Sequence, residues 1–179
     1  MKERTRRSTH PWTGRRIRVR VDETERADGH QTTREIVEHP GAVGILAWDG
    51  NRLAMVRQWR HAAGKILLEI PAGTLEPDEP PDETARRELA EEVGVAAATW
   101  VDGPRFYTAP GFCDELMHLY LATDLTAADG ESDPDELLEA SWMTLEDALA
   151  AIDDGRIVDA KTIAAVGWLA RRLPIEPSQ

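Results

Sequence analysis

A helix predicted over residues 80–93 constrains the fold of this 179-residue chain more than any other segment. Two prolines open it, where a missing backbone N–H costs nothing, and Gly94 follows at a position that favours glycine. Its apolar side chains form one narrow stripe with a spacing of four residues: Ala85, Leu89 and Val93. Such a helix can pack on one side only, so we expect its other side to be free for chemistry.

Strand patterns lie on both sides of this helix. Residues 15–22 and 32–39 alternate polar and apolar side chains, which predicts a hairpin-like pair. Residues 42–49 and 52–60 are more uniformly apolar, as buried strands are. Further strands are predicted at 66–71, 98–108, 116–123 and 137–143.

Two more helices are predicted near the end of the sequence. Residues 144–147 resemble a capping box that opens a short helix, and Asp159 can cap a last one. Helices inserted among strands without strict alternation favour an α/β sandwich over a doubly wound fold. The fold class predicted from these patterns is therefore α/β.

The length fits one domain with a small extension. Residues 1–14 lack periodicity and are predicted to form a flexible basic arm. Residues 15–40 would form an N-terminal antiparallel β extension, 41–173 the main domain and 174–179 a tail.

The net charge of −12 is unevenly distributed, because the first 20 residues hold eight basic side chains and one acidic one. Residues 21–179 therefore carry a large excess of acidic side chains, which the phosphates of nucleic acids would repel. We expect no nucleic-acid partner. No apolar run approaches the roughly 20 residues that span a bilayer, which predicts no membrane partner. One cysteine, Cys113, and the lack of an apolar leader suit a reducing compartment, so a cytoplasmic location is expected.

Glutamates occupy the last two turns of the predicted helix. Glu88, Glu91 and Glu92 are three and four residues apart, so they project from one side and repel one another. They also face the negative end of the helix dipole. Hard divalent cations would remove both conflicts, whereas a solvated acidic face with nearby arginines is the alternative for the helix taken alone.

The wider spacing favours the first interpretation. Residues 73–95 match every position of the pattern G-x5-E-x7-R-E-U-x-E-E-x-G-U, where U is a bulky aliphatic residue. This pattern resembles the Nudix box, and the chain is identified by it as similar to Nudix hydrolases. The resemblance implies a Nudix-type α/β/α sandwich with a mixed sheet. It also implies cleavage of a nucleoside diphosphate derivative, a small-molecule substrate, with two or three Mg²⁺ ions, or Mn²⁺, in each site.

The resemblance assigns a role to each position of the box. Glu88 and Glu92 would be the main metal ligands, Glu91 a further ligand or a group that positions water, and Arg87 would orient the carboxylates. The backbone carbonyl of Ala72 would add a metal ligand. Three residues would support the motif: Gly73, Glu79 and Gly94.

Residues outside the box resemble the ADP-ribose pyrophosphatase branch of the family. The segment 68–73 precedes the box, Pro110 follows Gly94 by sixteen residues, and 56–60 resembles a third segment of that branch. Members of this branch often form homodimers through N-terminal sheets, so the 15–40 extension is expected to form one here. Residues 15–172 carry the resemblance.

The branch resemblance also suggests substrate contacts. Arg34 and Arg60 would contact the diphosphate or the adenine side, because guanidinium groups suit phosphate oxygens. The alternative for both is an arginine on a solvated strand face. Glu69 would bind ribose or adenine, unless it only pairs with a structural arginine. The remaining predicted contacts lie together after the box: Pro110, Gly111 and Phe112.

A general base is expected in the acidic segment 129–139, where the branch carries a glutamate. Glu136 is the first choice, and Glu131, Asp133 and Glu139 stay open. The predicted reaction is hydrolysis of ADP-ribose to AMP and ribose 5-phosphate. Two alternatives are a nucleotide sugar such as GDP-mannose as substrate, and an ADP-ribose-binding sensor without catalysis. The sensor is disfavoured because the box is complete.

Overall fold

The computed structural model describes residues 2–130 and 138–172 and divides into two compact units. The first unit comprises Met1–Gly41 and Phe106–Met117, and the second comprises Ala42–Arg105 and His118–Gln179. In chain order the strands are β1 (Glu3–Thr13), β2 (Arg18–Arg26), β3 (Gln31–Glu38), β4 (Ala42–Ala47), β5 (Arg52–Arg60), β6 (Lys65–Glu69), β7 (Ala72–Thr74), β8 (Val95–Tyr107), β9 (Leu116–Ala127) and β10 (Leu138–Thr144). The helices are α1 (Pro81–Val93), α2 (Leu145–Asp153) and α3 (Ala160–Ala170).

The first unit is built on an antiparallel sheet with the order β1-β2-β3. The predicted hairpin-like pair of β2 and β3 is confirmed. The loop between β8 and β9 also belongs to this unit, where Cys113 forms an isolated bridge with Val37.

The expected flexible arm is wrong for most of its length, because residues 3–13 form β1. The physical reason is that nearly all side chains of β1 are exposed, so no buried face imposes an apolar alternation on the sequence. Antiparallel pairing with β2 and ion pairs such as Arg6–Glu25, at 2.8 Å, hold the strand instead. Salt bridges of this kind are each worth about 1 kcal/mol or less, so the ladder of backbone hydrogen bonds contributes most.

The second unit contains two sheets with the orders β10-β5-β6 and β7-β4-β9-β8, and all three helices. Its core surrounds β4, whose Val43, Ile45 and Ala47 are fully buried. The apolar stripe of α1 joins this core, because Ala85 and Leu89 pack in the same cluster and Val93 packs against it. One side of α1 therefore packs into the core, as its apolar stripe predicted.

The helix ends follow the predicted capping chemistry. Gly94 ends α1 with φ of 71°, a left-handed conformation that costs glycine little. The Thr144 hydroxyl accepts a hydrogen bond from the Asp147 N–H at the start of α2, and the Asp159 carboxylate accepts one from the Thr162 N–H at the start of α3. Within the described ranges, no helix has the length and apolar character that crossing a membrane requires.

Candidate active site

The acidic side of α1 is organised by one arginine. The Nε and Nη2 atoms of Arg87 donate to both carboxylate oxygens of Glu79, at 3.1 and 3.0 Å. Its Nη1 atom donates to Glu88 at 2.9 Å and to Glu91 at 3.0 Å. Arg87 therefore offsets the repulsion between Glu88 and Glu91, which the helix alone would bring together.

The fork between Arg87 and Glu79 shifts the titration of both groups. Hydrogen bonds from Arg87 hold the pKa of Glu79 below its ordinary value, and the bonds to Glu79 raise the pKa of Arg87. The Thr84 hydroxyl donates to Glu79 as well, at 2.8 Å. Glu79 thus fixes the Arg87 guanidinium on the edge formed by Nε and Nη2.

Glu92 connects α1 to β7, the strand in which the box begins. Its side chain is only 6% exposed, and its Oε2 accepts a hydrogen bond from the Ala72 N–H at 3.0 Å. The preceding residue is also fixed, because the Pro71 carbonyl accepts from the Ile45 N–H at 2.9 Å. The backbone at Ala72 and the Glu92 carboxylate are therefore held in one fixed relation.

Gly73 leaves room for the carboxylate of Glu88. A Cβ atom built on Gly73 would overlap the Cγ, Cδ and Oε1 atoms of Glu88. The requirement for glycine here is therefore one of space between β7 and α1 and not of backbone conformation. The structure brings together four predicted residues in this way: Ala72, Gly73, Glu88 and Glu92.

The donor chemistry of this region suits a hard divalent cation, because it offers carboxylates on adjacent helical turns and a nearby backbone carbonyl. Among residues 2–130 and 138–172, the acidic, histidine and cysteine side chains do not form a ready group of three that could hold a metal ion. Two of the glutamates are turned towards Arg87 and Glu92 towards the Ala72 N–H. Rotation about the terminal side-chain bonds of Glu88 and Glu91 would redirect those two carboxylates.

Adding one methyl group at Gly73 tests this geometry. We expect Gly73→Ala to lower kcat at least tenfold, because the new Cβ displaces the Glu88 carboxylate. The free energy of unfolding should change by less than about 1 kcal/mol, since a flexible side-chain end can move aside. Gly167→Ala, in α3, is the comparison, because a Cβ there meets no atom nearer than Arg171 Nη1 at 4.0 Å. Equal kcat values in wild type and Gly73→Ala would show that the position of Glu88 is unimportant.

A second cluster of charges lies at the end of β6. Glu69 is 1% exposed and accepts two hydrogen bonds from Arg60, one from Nε at 2.8 Å and one from Nη2 at 2.7 Å. Lys161, on α3, donates to the same carboxylate. Burial alone would raise the pKa of Glu69, but the Arg60 hydrogen bonds and the Lys161 charge outweigh it and lower that pKa.

The charges at the end of β6 also interact with the box. The hydrogen bonds to Glu69 raise the pKa of Arg60, and the charges of Glu92 and Asp159 add to that effect. Arg60 is thus brought near Glu92, although the two residues are distant in the sequence. The pairing of Glu69 with an arginine, which the sequence left open as an alternative, is present in the structure.

The other predicted substrate residues belong to the first unit. Arg34 donates through Nε and Nη2 to the carboxylate of Glu3, at 3.0 and 2.6 Å. Pro110, Gly111 and Phe112 are exposed in the loop between β8 and β9. Hydrogen bonds between this loop and Val37 of β3 hold it in place, one of them from the Val37 N–H to the Phe112 carbonyl at 2.7 Å.

The acidic segment predicted to carry the base falls largely outside the described residues. Glu136, Glu131 and Asp133 all lie in the range 131–137. Glu139, the remaining alternative, is exposed on β10 and pairs with Arg57 at 3.4 Å. Gly130 directly precedes the range and lies against α1, because a Cβ there would overlap the Ala90 carbonyl oxygen and approach the Glu91 nitrogen.

Sequence reasoning missed Lys161 and β7. A signal for the first was present, since a lysine in the first turn of a helix opposes the helix dipole and therefore calls for a separate reason. Strand β7 has three residues, too few for any periodicity, and pairing with β4 defines it.

Comparison with known proteins supports the assignment of residues 73–95 as a Nudix box. A family model described as "NUDIX domain" matches residues 38–166. An ADP-ribose pyrophosphatase of Bacillus subtilis is 41% identical over 172 residues, which cover 94% of this chain and 93% of that protein. A methanol dehydrogenase activator of Bacillus methanolicus is 41% identical over 170 residues, covering 93% and 92% respectively.

Structural comparison confirms the predicted fold. A crystal structure of an ADP compounds hydrolase superposes with a TM-score of 0.86 at 23% identity, covering 97% of this chain and 95% of the other. With the matched domain, the similar relatives and the shared fold, the chain belongs to the Nudix hydrolase family.

Proposed function

We propose that this enzyme hydrolyses the diphosphate bond of ADP-ribose to AMP and ribose 5-phosphate with Mg²⁺. The observation that carries the proposal is the complete set of box carboxylates held by Arg87 and the Ala72 N–H. The similarity to an ADP-ribose pyrophosphatase over 94% of the chain supports the choice of substrate.

Four groups would hold the metal: the Ala72 carbonyl, Glu88, Glu91 and Glu92. When bound, two or three Mg²⁺ ions, or Mn²⁺ in their place, would neutralise the diphosphate and acidify the attacking water. Arg87 keeps the carboxylates on one side of α1 through its bonds to Glu88 and Glu91. The buried Glu92 is fixed before substrate binds, which limits the reorganisation needed for reaction.

Arg60 is the substrate contact that the geometry of the second unit supports best. Its Nε and Nη2 atoms are committed to Glu69, while 38% of its side chain remains exposed. A guanidinium fixed on one edge can present its other edge to a phosphate oxygen. We therefore assign Glu69 to orienting Arg60, and keep Arg34, Pro110, Gly111 and Phe112 as further proposed contacts.

For the general base we propose Glu136. Supporting this choice, Gly130, six residues before Glu136, lies against Ala90 and Glu91 of α1. Its position in the sequence, just ahead of β10, is the second argument. Reach to a water decides between such candidates, and the pKa comes second.

The remaining proposals concern assembly and location. We propose a homodimer formed through the N-terminal β extension, whose sheet offers β1 and β3 as edge strands. A single cysteine suits the cytoplasm as the place of action. The excess of acidic residues argues against nucleic acid as a partner.

Product analysis tests the proposed reaction. Purified enzyme with millimolar ADP-ribose and Mg²⁺ should release AMP and ribose 5-phosphate in equal amounts, and EDTA should abolish the release. A panel including GDP-mannose, compared by kcat/KM, should rank ADP-ribose first. A higher kcat/KM for GDP-mannose would replace the substrate while keeping the chemistry. Tight calorimetric binding of ADP-ribose without any AMP would favour a sensor.

A further inference from the structure

Lys161 completes a partly buried chain of alternating charges, which we call the Glu69 cluster: Arg60, Glu69, Lys161 and Asp159. The Lys161 side chain is 11% exposed and pairs with Glu69 on one side and with Asp159, at 3.0 Å, on the other. Asp159 in turn caps α3 by accepting from the Thr162 N–H at 3.0 Å. The chain of charges thus runs from the start of α3 to the exposed edge of Arg60.

A second contact joins α3 to the end of β6. The Thr162 hydroxyl donates to Asp159 at 2.6 Å and accepts from the Ile70 N–H at 2.9 Å. Ile70 follows Glu69 directly and leads into the segment whose Ala72 N–H binds Glu92. The first turn of α3 therefore fixes the segment that carries both Glu69 and the predicted backbone ligand.

Lys161 is poorly explained as a stabilising residue. It is the second residue of α3, where a cation opposes the positive end of the helix dipole. Removing ammonium and carboxylate groups from water is also costly, so a buried ion pair is often no more stabilising than apolar side chains of the same size. The presence of Lys161 despite both effects is better explained by the geometry that it imposes.

Lys161 bears on the orientation of the Arg60 guanidinium. Glu69 must present both carboxylate oxygens to Arg60 for the two-pronged contact to form. Without a second cation, a carboxylate 1% exposed would have only one charged partner and could rotate. Lys161 binds Oε2, the oxygen that also accepts from Arg60 Nη2, and so holds that oxygen in place.

We infer that Lys161 is a positioning residue, which acts through Glu69 to aim Arg60 at the diphosphate of the substrate. The inference rests on the proposed function, because Arg60 is taken as a substrate contact. Arg60 would bind the substrate equally well in the ground state and in the transition state. Loss of Lys161 should therefore raise KM and leave kcat unchanged.

The test compares KM and kcat among variants of the full chain. Lys161→Met, which keeps the length of the side chain without its charge, should raise KM about tenfold with kcat within twofold of wild type. Lys161→Arg should restore KM to within about threefold, because it keeps a cation beside Glu69. Arg156→Met is the matched control, since it removes an exposed cation that pairs with Asp154 just before α3.

A double-mutant cycle separates positioning from a general loss of charge. Glu69→Gln should raise KM as well, and Glu69→Gln combined with Lys161→Met should be no worse than Glu69→Gln alone, because Lys161 acts through Glu69. An unchanged KM in Lys161→Met, or losses that simply multiply in the double variant, would overturn the inference. If Lys161→Met does not fold, Lys161→Gln takes its place in the cycle.

Failure of the proposed substrate is recognised separately. Wild-type enzyme that releases no AMP from ADP-ribose contradicts the proposed function alone. KM is then measured for the same four proteins with a nucleoside diphosphate derivative of the panel that the wild type does cleave. With that compound too, a KM unaffected by Lys161→Met counts against Lys161 and a selective rise counts for it.

Discussion

Glu92→Gln is expected to lower kcat about a thousandfold, which corresponds to about 4 kcal/mol of transition-state stabilisation. Glutamine keeps the shape of the side chain and an oxygen that can accept from the Ala72 N–H, so the local contact survives. What disappears is a buried negative charge beside the proposed metal site. The measurement is AMP release at saturating ADP-ribose and Mg²⁺.

The stability of this variant gives the second half of the prediction. Without metal, Glu92→Gln should unfold at the same temperature as wild type or higher, because removing one carboxylate relieves repulsion on α1. Glu83→Gln, in the exposed first turn of the same helix, is the matched control and should keep full activity. Normal turnover in Glu92→Gln would remove this residue from the metal site.

The local parts of this architecture could be predicted because their signals lie within a few residues. The bounds of α1, its apolar stripe and the Gly94 end all follow from spacing and from the preferences of proline and glycine. The Thr144 and Asp159 caps are equally local, since each side chain bonds a backbone N–H three residues ahead.

Contacts between distant segments could not be predicted in this way. Lys161 and Glu69 are 92 positions apart, and Glu3 and Arg34 are 31 apart, so no short pattern announces either pair. The strand β1 was missed because an exposed strand has no face that must be apolar. What the sequence could supply for Glu69 was only the expectation that a carboxylate in an apolar strand needs a partner.

Part of the negative charge of the chain is concentrated around α1, in the second unit. Acidic residues gather before and along α1, and a single guanidinium compensates three of them. A divalent ion brought to the same carboxylates would reverse the local field and favour an anionic substrate. Arg87 and the metal would therefore relieve the same repulsion.

Arg87→Met is expected to destabilise the fold by about 2–4 kcal/mol in metal-free buffer and to lower kcat about a hundredfold. The Arg87 side chain is 32% exposed, and Glu88 and Glu79 are 13% and 19% exposed, so water replaces the lost contacts only in part. The released carboxylates would repel one another and lose their common orientation. Chemical unfolding and steady-state turnover measure the two effects.

Arg86→Met is the control for Arg87→Met, because it also removes one positive charge from α1 but leaves the contacts of Arg87 in place. Arg86 lies 4.8 Å from the ring of Trp100 and contributes a cation–π contact worth about 1 kcal/mol or less. Its variant should keep kcat within twofold. Because added Mg²⁺ relieves the same repulsion as Arg87, it should raise the unfolding temperature of Arg87→Met by more than that of wild type or Arg86→Met. An equal rise in all three proteins would mean that Arg87 and the metal do not share these carboxylates.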